Sequence, residues 1–151
     1  LEAGLRKRID AGAADRREST RIVLHGSGGL AAPSLGAMNR LHRRVLGLGA
    51  GVAYDFIIGR DGEGEVIAVG DRWTSGVPKD GEIRICLRGD FETSGPSPQQ
   101  LAAVDELIDY LRVAVGHLRV TTHAREAGRP VGCMGEAFPE AAILEALNLQ
   151  P

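Results

Sequence analysis

Five short runs of β-branched and aromatic residues alternate along this chain with segments of helical periodicity. They are Arg21–His25, Tyr54–Ile58, Glu65–Val69, Ile83–Leu87 and Leu118–Thr122. Each has the length and residue types of a strand, and most halt at a glycine. The second and third flank Gly59-Arg60-Asp61-Gly62, whose turn chemistry predicts a hairpin. Between the strands, Pro33-Ser34 offers a cap for a helix carrying Leu35, Met38, Leu41, His42 and Val45, stopped by Gly47 and Gly49. The clearest helix opens at Ser97-Pro98 with a Ser-x-x-Gln box closed by Gln100. It runs along the apolar stripe Leu101, Val104, Leu107, Ile108, Leu111 and Val115 to Gly116. Pro139–Leu147 reads as a terminal helix, and Trp73–Gly81 as a loop. Strands alternating with helices, with one hairpin inserted, predict a single α/β domain with a mixed central sheet flanked by helices.

Composition narrows the class of protein. At 151 residues and 43% apolar content the chain builds one core without disulfide staples. A formal net charge of -2 argues against a nucleic-acid partner, which calls for a basic face. No apolar run approaches the roughly 18 residues of a membrane span. The two cysteines, Cys86 and Cys133, are too few for a disulfide scaffold. Cys86 sits inside an alternating strand, where a small buried hydrophobe is the ordinary role. Residues 1–20, charged and rich in Ala and Gly, read as an arm or short surface helix laid on a domain spanning 21–151. The first residue is Leu1, which implies a start trimmed from a longer precursor and leaves no targeting segment to read.

Three residues of metal-ligating type sit at strand ends and in loops: His25, His123 and Cys133. Zinc accepts two nitrogens and a thiolate and leaves its fourth position to water in catalytic sites. Their spacing alone equally suits a satisfied core histidine, a surface histidine and a buried thiol. Strand ends of α/β proteins project into the loop layer where ligands commonly bind, so convergence of the three is feasible.

A longer series of segments carries a resemblance. In order they are Ile22-Val23-Leu24-His25, His42 on its helix, Ala53-Tyr54-Asp55-Phe56-Ile57-Ile58-Gly59-Arg60-Asp61-Gly62, and Gly70-Asp71-Arg72-Trp73. Then come Ile83 to Phe91, Pro98-Gln99-Gln100-Leu101, Thr122-His123-Ala124-Arg125, Cys133-Met134-Gly135 and Phe138-Pro139. Together they resemble the zinc-dependent N-acetylmuramoyl-L-alanine amidases, the family shared by phage lysozyme-like amidases and peptidoglycan recognition proteins. The resemblance spans about Arg21 to Leu147.

That resemblance implies zinc held by His25, His123 and Cys133, with Tyr54 as the catalytic tyrosine leaning over the metal. It places His42 and Trp73 along the peptidoglycan groove, although an apolar-face histidine and a rim aromatic describe them equally well. The implied reaction is hydrolysis of the amide between the lactyl group of N-acetylmuramic acid and L-alanine. The implied partner is peptidoglycan or a muropeptide, and the implied location is exported or in the cell envelope. A disulfide between Cys86 and Cys133 would destroy the metal site.

The chain departs from the family pattern around the groove. Val131 stands where many catalytic relatives carry lysine or threonine, with Arg125 or Arg129 close enough in sequence to substitute. Ser75-Gly76-Val77-Pro78 replaces a segment with a groove histidine, Gly81-Glu82 replaces Asn-Ser, and Met134 replaces proline. The alternative to an enzyme is therefore a recognition module that binds cell-wall fragments without cutting them. A zinc hydrolase that has moved to another amide is a third reading.

Overall fold

The structure, a computed structural model, describes residues 1–27, 54–60, 65–74, 81–126, 128 and 135–149. His42 with its expected helix, the Gly59–Gly62 turn beyond Arg60, and Val131, Cys133 and Met134 lie outside these residues. The described elements are α1 (Ala3–Ala13), a 3-10 turn (Ala14–Arg16), β1 (Arg21–Gly26), β2 (Phe56–Arg60), β3 (Glu65–Val69) and α2 (Asp71–Thr74). They continue with β4 (Glu82–Leu87), α3 (Pro98–Ala114), β5 (Arg119–Thr122), α4 (His123–Glu126) and α5 (Glu140–Asn148).

The strands form one mixed sheet in the order β3-β2-β4-β1-β5. β2 and β3 pair antiparallel as the hairpin, while β2/β4, β4/β1 and β1/β5 are parallel. Because successive side chains on a strand point to opposite faces, the sheet has two distinct surfaces. One carries Ile22 and Leu24 of β1, Phe56 and Ile58 of β2, Ile83, Ile85 and Leu87 of β4, and Val120 of β5. These pack against Val104, Leu107, Ile108 and Leu111 of α3 and the apolar faces of α1 and α5. The opposite face presents Arg21, Val23 and His25 beside Glu82, Arg84 and Cys86, with each residue of one trio registered on its partner in the other. Cys86 is fully buried there in a smaller cluster with Ile57, flanked by Tyr54 and Ala68.

α3 begins as its sequence dictates. Ser97 is extended and its hydroxyl accepts the Gln100 N–H at 3.1 Å, with Pro98 at the start of the helix. The Gln100 side chain does not return to Ser97. It is buried, and its amide donates to the carbonyls of Ile58 and Arg88, each at 3.0 Å, tying the ends of β2 and β4. A longer-range demand from two orphaned carbonyls has outcompeted the local box. At the far edge, Asn148 covers β5. Its side chain accepts the Val120 N–H at 2.8 Å and donates to the Val120 carbonyl at 2.9 Å, occupying groups that an exposed edge would offer to another strand.

The N-terminal segment is a helix, but it is more than a surface arm. Leu5, Ile9 and Ala13 recur at four-residue steps and are buried in the main core. Nor is Trp73 in a loop: it lies in α2, and its indole fills the space under α1, where Gly12 makes room. A Cβ at Gly12 would sit 2.7 Å from Trp73 Cε2. Alanine normally stabilises a helix interior over glycine by about 0.5–1 kcal/mol. Here Gly12→Ala is expected to lower stability by ~1–3 kcal/mol through overpacking. Gly4→Ala, which meets nothing within 4 Å, should be neutral or stabilising. Chemical denaturation of the two variants checks the contrast; a stabilised Gly12→Ala would refute the packing of α1 on Trp73.

Candidate metal and hydrolytic site

His25 is the penultimate residue of β1, and the pairing continues past it. Ser27 N–H donates to the Leu87 carbonyl at 3.0 Å, and its hydroxyl accepts the Gly89 N–H at 2.8 Å. The strand end that carries His25 is thereby pinned to β4. His123 is delivered differently. β5 ends at Thr122, whose buried hydroxyl accepts the Arg125 N–H at 3.2 Å and so caps α4 with His123 as its first residue. The same hydroxyl bonds Glu140. Tyr54 precedes β2.

These three segments bring their rings together. The His25 and His123 ring centroids are 4.8 Å apart, and Tyr54 lies 5.1 Å from His25. They line a cavity of about 320 Å³ with Val23, Glu82, Arg84 and Glu126. Burial, followed by the charges of His123, Arg84 and Arg72, pushes the His25 pKa down to about 3. Its imidazole is therefore neutral at physiological pH, with a lone pair to give. Among the described residues, His25 Nε2 is buried and has no hydrogen-bond partner. Buried polar atoms are rarely left unmatched, and an orphaned imidazole nitrogen beside a second histidine suits a metal ligand. Among the described residues no group of three histidine, cysteine or acidic side chains is placed to hold a metal.

The sequence left Glu82, Arg84 and Glu126 unassigned. Arg84 Nε bonds Glu82 Oε1 at 2.5 Å, and Arg21 joins Glu82 Oε2 at 3.0 Å to Glu126 Oε1 at 3.2 Å. Such partly exposed pairs contribute little stability, roughly 0–1 kcal/mol each. Their consequence is geometric, because they hold a cation and two carboxylates along the cavity wall. Strict alternation around buried Ile83 and Ile85 was the available signal, since it puts Glu82 and Arg84 on the face opposite the core.

One expectation is corrected. Trp73 does not line this cavity. It is 2% exposed, its ring centroid 4.8 Å from that of Phe56, with the Arg16 guanidinium 5.0 Å over its ring and its Nε1–H donating to the Arg8 carbonyl at 3.2 Å. The α2 turn aims the indole toward α1 and the main core. Arg125 pairs with Glu140 at 3.2 Å and is not among the described residues that line the cavity, and Arg129 lies outside the described residues.

Comparisons with known proteins agree with this architecture. Drosophila PGRP-LB, solved as a tyrosine-to-phenylalanine mutant in complex with tracheal cytotoxin, aligns with a TM-score of 0.66 at 21% identity, covering 88% of this chain and 84% of that one. The endolysin N-acetylmuramoyl-L-alanine amidase LysCS from Clostridium intestinale URNW gives 0.58 at 21% identity, covering 89% and 88%. The ectodomain of the Drosophila transmembrane receptor PGRP-LCa gives 0.60 at 17% identity, covering 82% and 81%. At these identities the likeness establishes the fold. A search of curated protein sequences returned no match. The Amidase_2 family model, described as N-acetylmuramoyl-L-alanine amidase, matches residues 15–136. That match runs from the turn after α1 through both histidines and covers most of the chain, which therefore belongs to the N-acetylmuramoyl-L-alanine amidase family.

Proposed function

We propose that the chain is a zinc-dependent amidase that cleaves the bond between the lactyl group of N-acetylmuramic acid and L-alanine in peptidoglycan or muropeptides. The observation that carries this reading is the pairing of His25 with His123 beside Tyr54, with His25 Nε2 buried and lacking a partner among the described residues. His25, His123 and Cys133 would hold the ion, the first two on the geometry above and the third on the resemblance of Cys133-Met134-Gly135 to the family motif. Bound zinc supplies a water of lowered pKa, near 7, and polarises a carbonyl.

The remaining work falls to this chain's own groups. The Tyr54 hydroxyl donates a hydrogen bond to the oxygen of the scissile carbonyl as negative charge develops there. His42 is assigned to the substrate groove on the resemblance. Arg84 offers a fixed cation for an anionic part of the substrate, and Glu82 holds it in place through the 2.5 Å pair. The family match and a neighbour solved with tracheal cytotoxin support a cell-wall glycopeptide as ligand. Such a substrate assigns the protein to the cell envelope or the exterior. No helix among the described residues is long and apolar enough to cross a membrane.

A second reading is favoured by one residue. Val131 offers no donor where many catalytic relatives place lysine or threonine. A recognition module would keep the groove and lose turnover. Metal analysis of the purified protein, beside mass spectrometry of a muropeptide digest, separates the two. One zinc per chain with release of free stem peptide is expected. Zinc with binding but without cleavage identifies the recognition module. Failure to take up zinc on reconstitution overturns the enzyme reading.

A further inference from the structure

The most deeply buried charge cluster among the described residues takes no direct part in this chemistry. The Asp55 side chain is wholly excluded from solvent, and Arg16 and Arg72 beside it are 2% and 7% exposed. Asp55 Oδ2 accepts the Arg84 backbone N–H at 2.8 Å and Arg72 Nε at 3.2 Å, while Oδ1 lies 3.5 Å from Arg16 Nη2. Arg16 Nη2 donates to the Arg72 carbonyl at 2.7 Å. Burial raises the carboxyl pKa, and the Arg84 N–H and the two guanidinium groups pull it back. Taking three charged groups out of water is costly, and their mutual pairing often does no more than offset that cost, so the cluster is weak evidence for a purely stabilising role.

What the cluster does is immobilise the peptide next to Tyr54. Asp55 N–H donates to the Arg84 carbonyl at 2.9 Å, and the Asp55 carbonyl accepts the Gly70 N–H at 2.8 Å. Gly70 crowds the other side, since a Cβ there would run into the Tyr54 carbonyl oxygen. Asp55 is thus held through both backbone groups and through Oδ2, with Arg16 drawn to Oδ1 by charge, and the partners come from three segments: β4, the Gly70–Arg72 stretch and the turn after α1. Tyr54, directly before it, lines the cavity with His25. Arg16 comes from the turn that follows α1, so the N-terminal segment reaches the site through this cluster.

We propose that Arg16, Asp55 and Arg72 are positioning residues that set the Tyr54 side chain in the cavity and couple the N-terminal helix to turnover. The proposal rests on the reading of Tyr54 given above. The test uses Arg16→Met and Asp55→Asn, each alone and combined with Tyr54→Phe, assayed as zinc-loaded protein on a muropeptide. Each single variant is expected to lower kcat about tenfold or more with KM within about twofold, because small misplacements of a reacting group are costly. In the Tyr54→Phe background the further loss should be under about twofold, since residues that act through one another are not additive. Equal losses in both backgrounds would reduce the cluster to scaffold.

A second readout needs neither metal nor turnover. The chain has two tyrosines, so Tyr110→Phe leaves one ring signal in tyrosine-labelled protein, that of Tyr54. Arg16→Met is expected to shift and broaden that NMR signal, and Asp55→Asn gives the same test if Arg16→Met folds poorly. An unchanged signal overturns the proposal. If Tyr54→Phe itself leaves kcat intact, the catalytic reading of Tyr54 fails, and the ring signal still decides whether the cluster positions it.

Discussion

Replacing His25 or His123 with alanine, or Cys133 with serine, is expected to strip zinc from the protein and abolish amide hydrolysis while leaving the fold mostly intact. The fold should survive because His25 is on the sheet face opposite the main core and His123 is exposed, so neither supports the packing of β1 or β5 on α3 and α5. The metal should not survive. Changing a partner that only orients a ligand already costs about 10–100-fold in affinity or activity, and removing the ligand itself costs more. His25→Ala carries a further diagnostic, since it removes the buried nitrogen that has no hydrogen-bond partner among the described residues. Without zinc that deletion relieves an unfavourable burial, so metal-free His25→Ala should unfold no earlier than the metal-free parent. Metal content after dialysis, circular dichroism and the muropeptide assay check all three variants. Full zinc occupancy and activity in any of them would withdraw that residue from the ligand set.

Tyr54→Phe is expected to keep zinc and slow turnover by more than tenfold. The substitution deletes one hydroxyl and leaves the ring that contacts His25 and packs against Cys86 and Ile57. Loss of a single donor to a developing oxyanion typically costs about 10²–10³ in kcat. The loss should appear in kcat with KM little changed, because the bond strengthens only as the carbonyl becomes tetrahedral. Steady-state kinetics at matched zinc content check this, and an unchanged rate would confine Tyr54 to packing.

The cavity wall shows how much a strand reading leaves open. Arg21-Ile22-Val23-Leu24-His25 and Ile83-Arg84-Ile85-Cys86-Leu87 were both legible as strands, and alternation separates Ile22 and Leu24 from Arg21 and His25. That β1 and β4 lie side by side, with His25 against Cys86 and Val23 against Arg84, depends on parallel pairing between segments some sixty residues apart. No local signal encodes such a register. Glu82 and Arg84 therefore went unassigned, although the alternation that sends them toward His25 was already visible.

Trp73 and Gln100 fail for a related reason. Each sits in a motif with a plausible local role, groove aromatic or capping-box partner, and each is claimed by something distant. The indole is taken by the space that Gly12 leaves under α1, and the amide by the carbonyls of Ile58 and Arg88. The N-terminal segment reads as surface because its apolar residues are few, yet Leu5, Ile9 and Ala13 fall on one face and complete the core.

From the residues alone came the five strands, the hairpin, the long helix with its Ser97 cap, the terminal helix and the presence of His25 and His123 at strand ends, because local periodicity and backbone preference govern these. Their convergence with Tyr54, the charged wall around them and the Arg16–Asp55–Arg72 cluster behind them were decided only in three dimensions. Each depends on strand register, or on a buried charge meeting its partner from a remote segment, and such contacts leave no periodic trace in the chain.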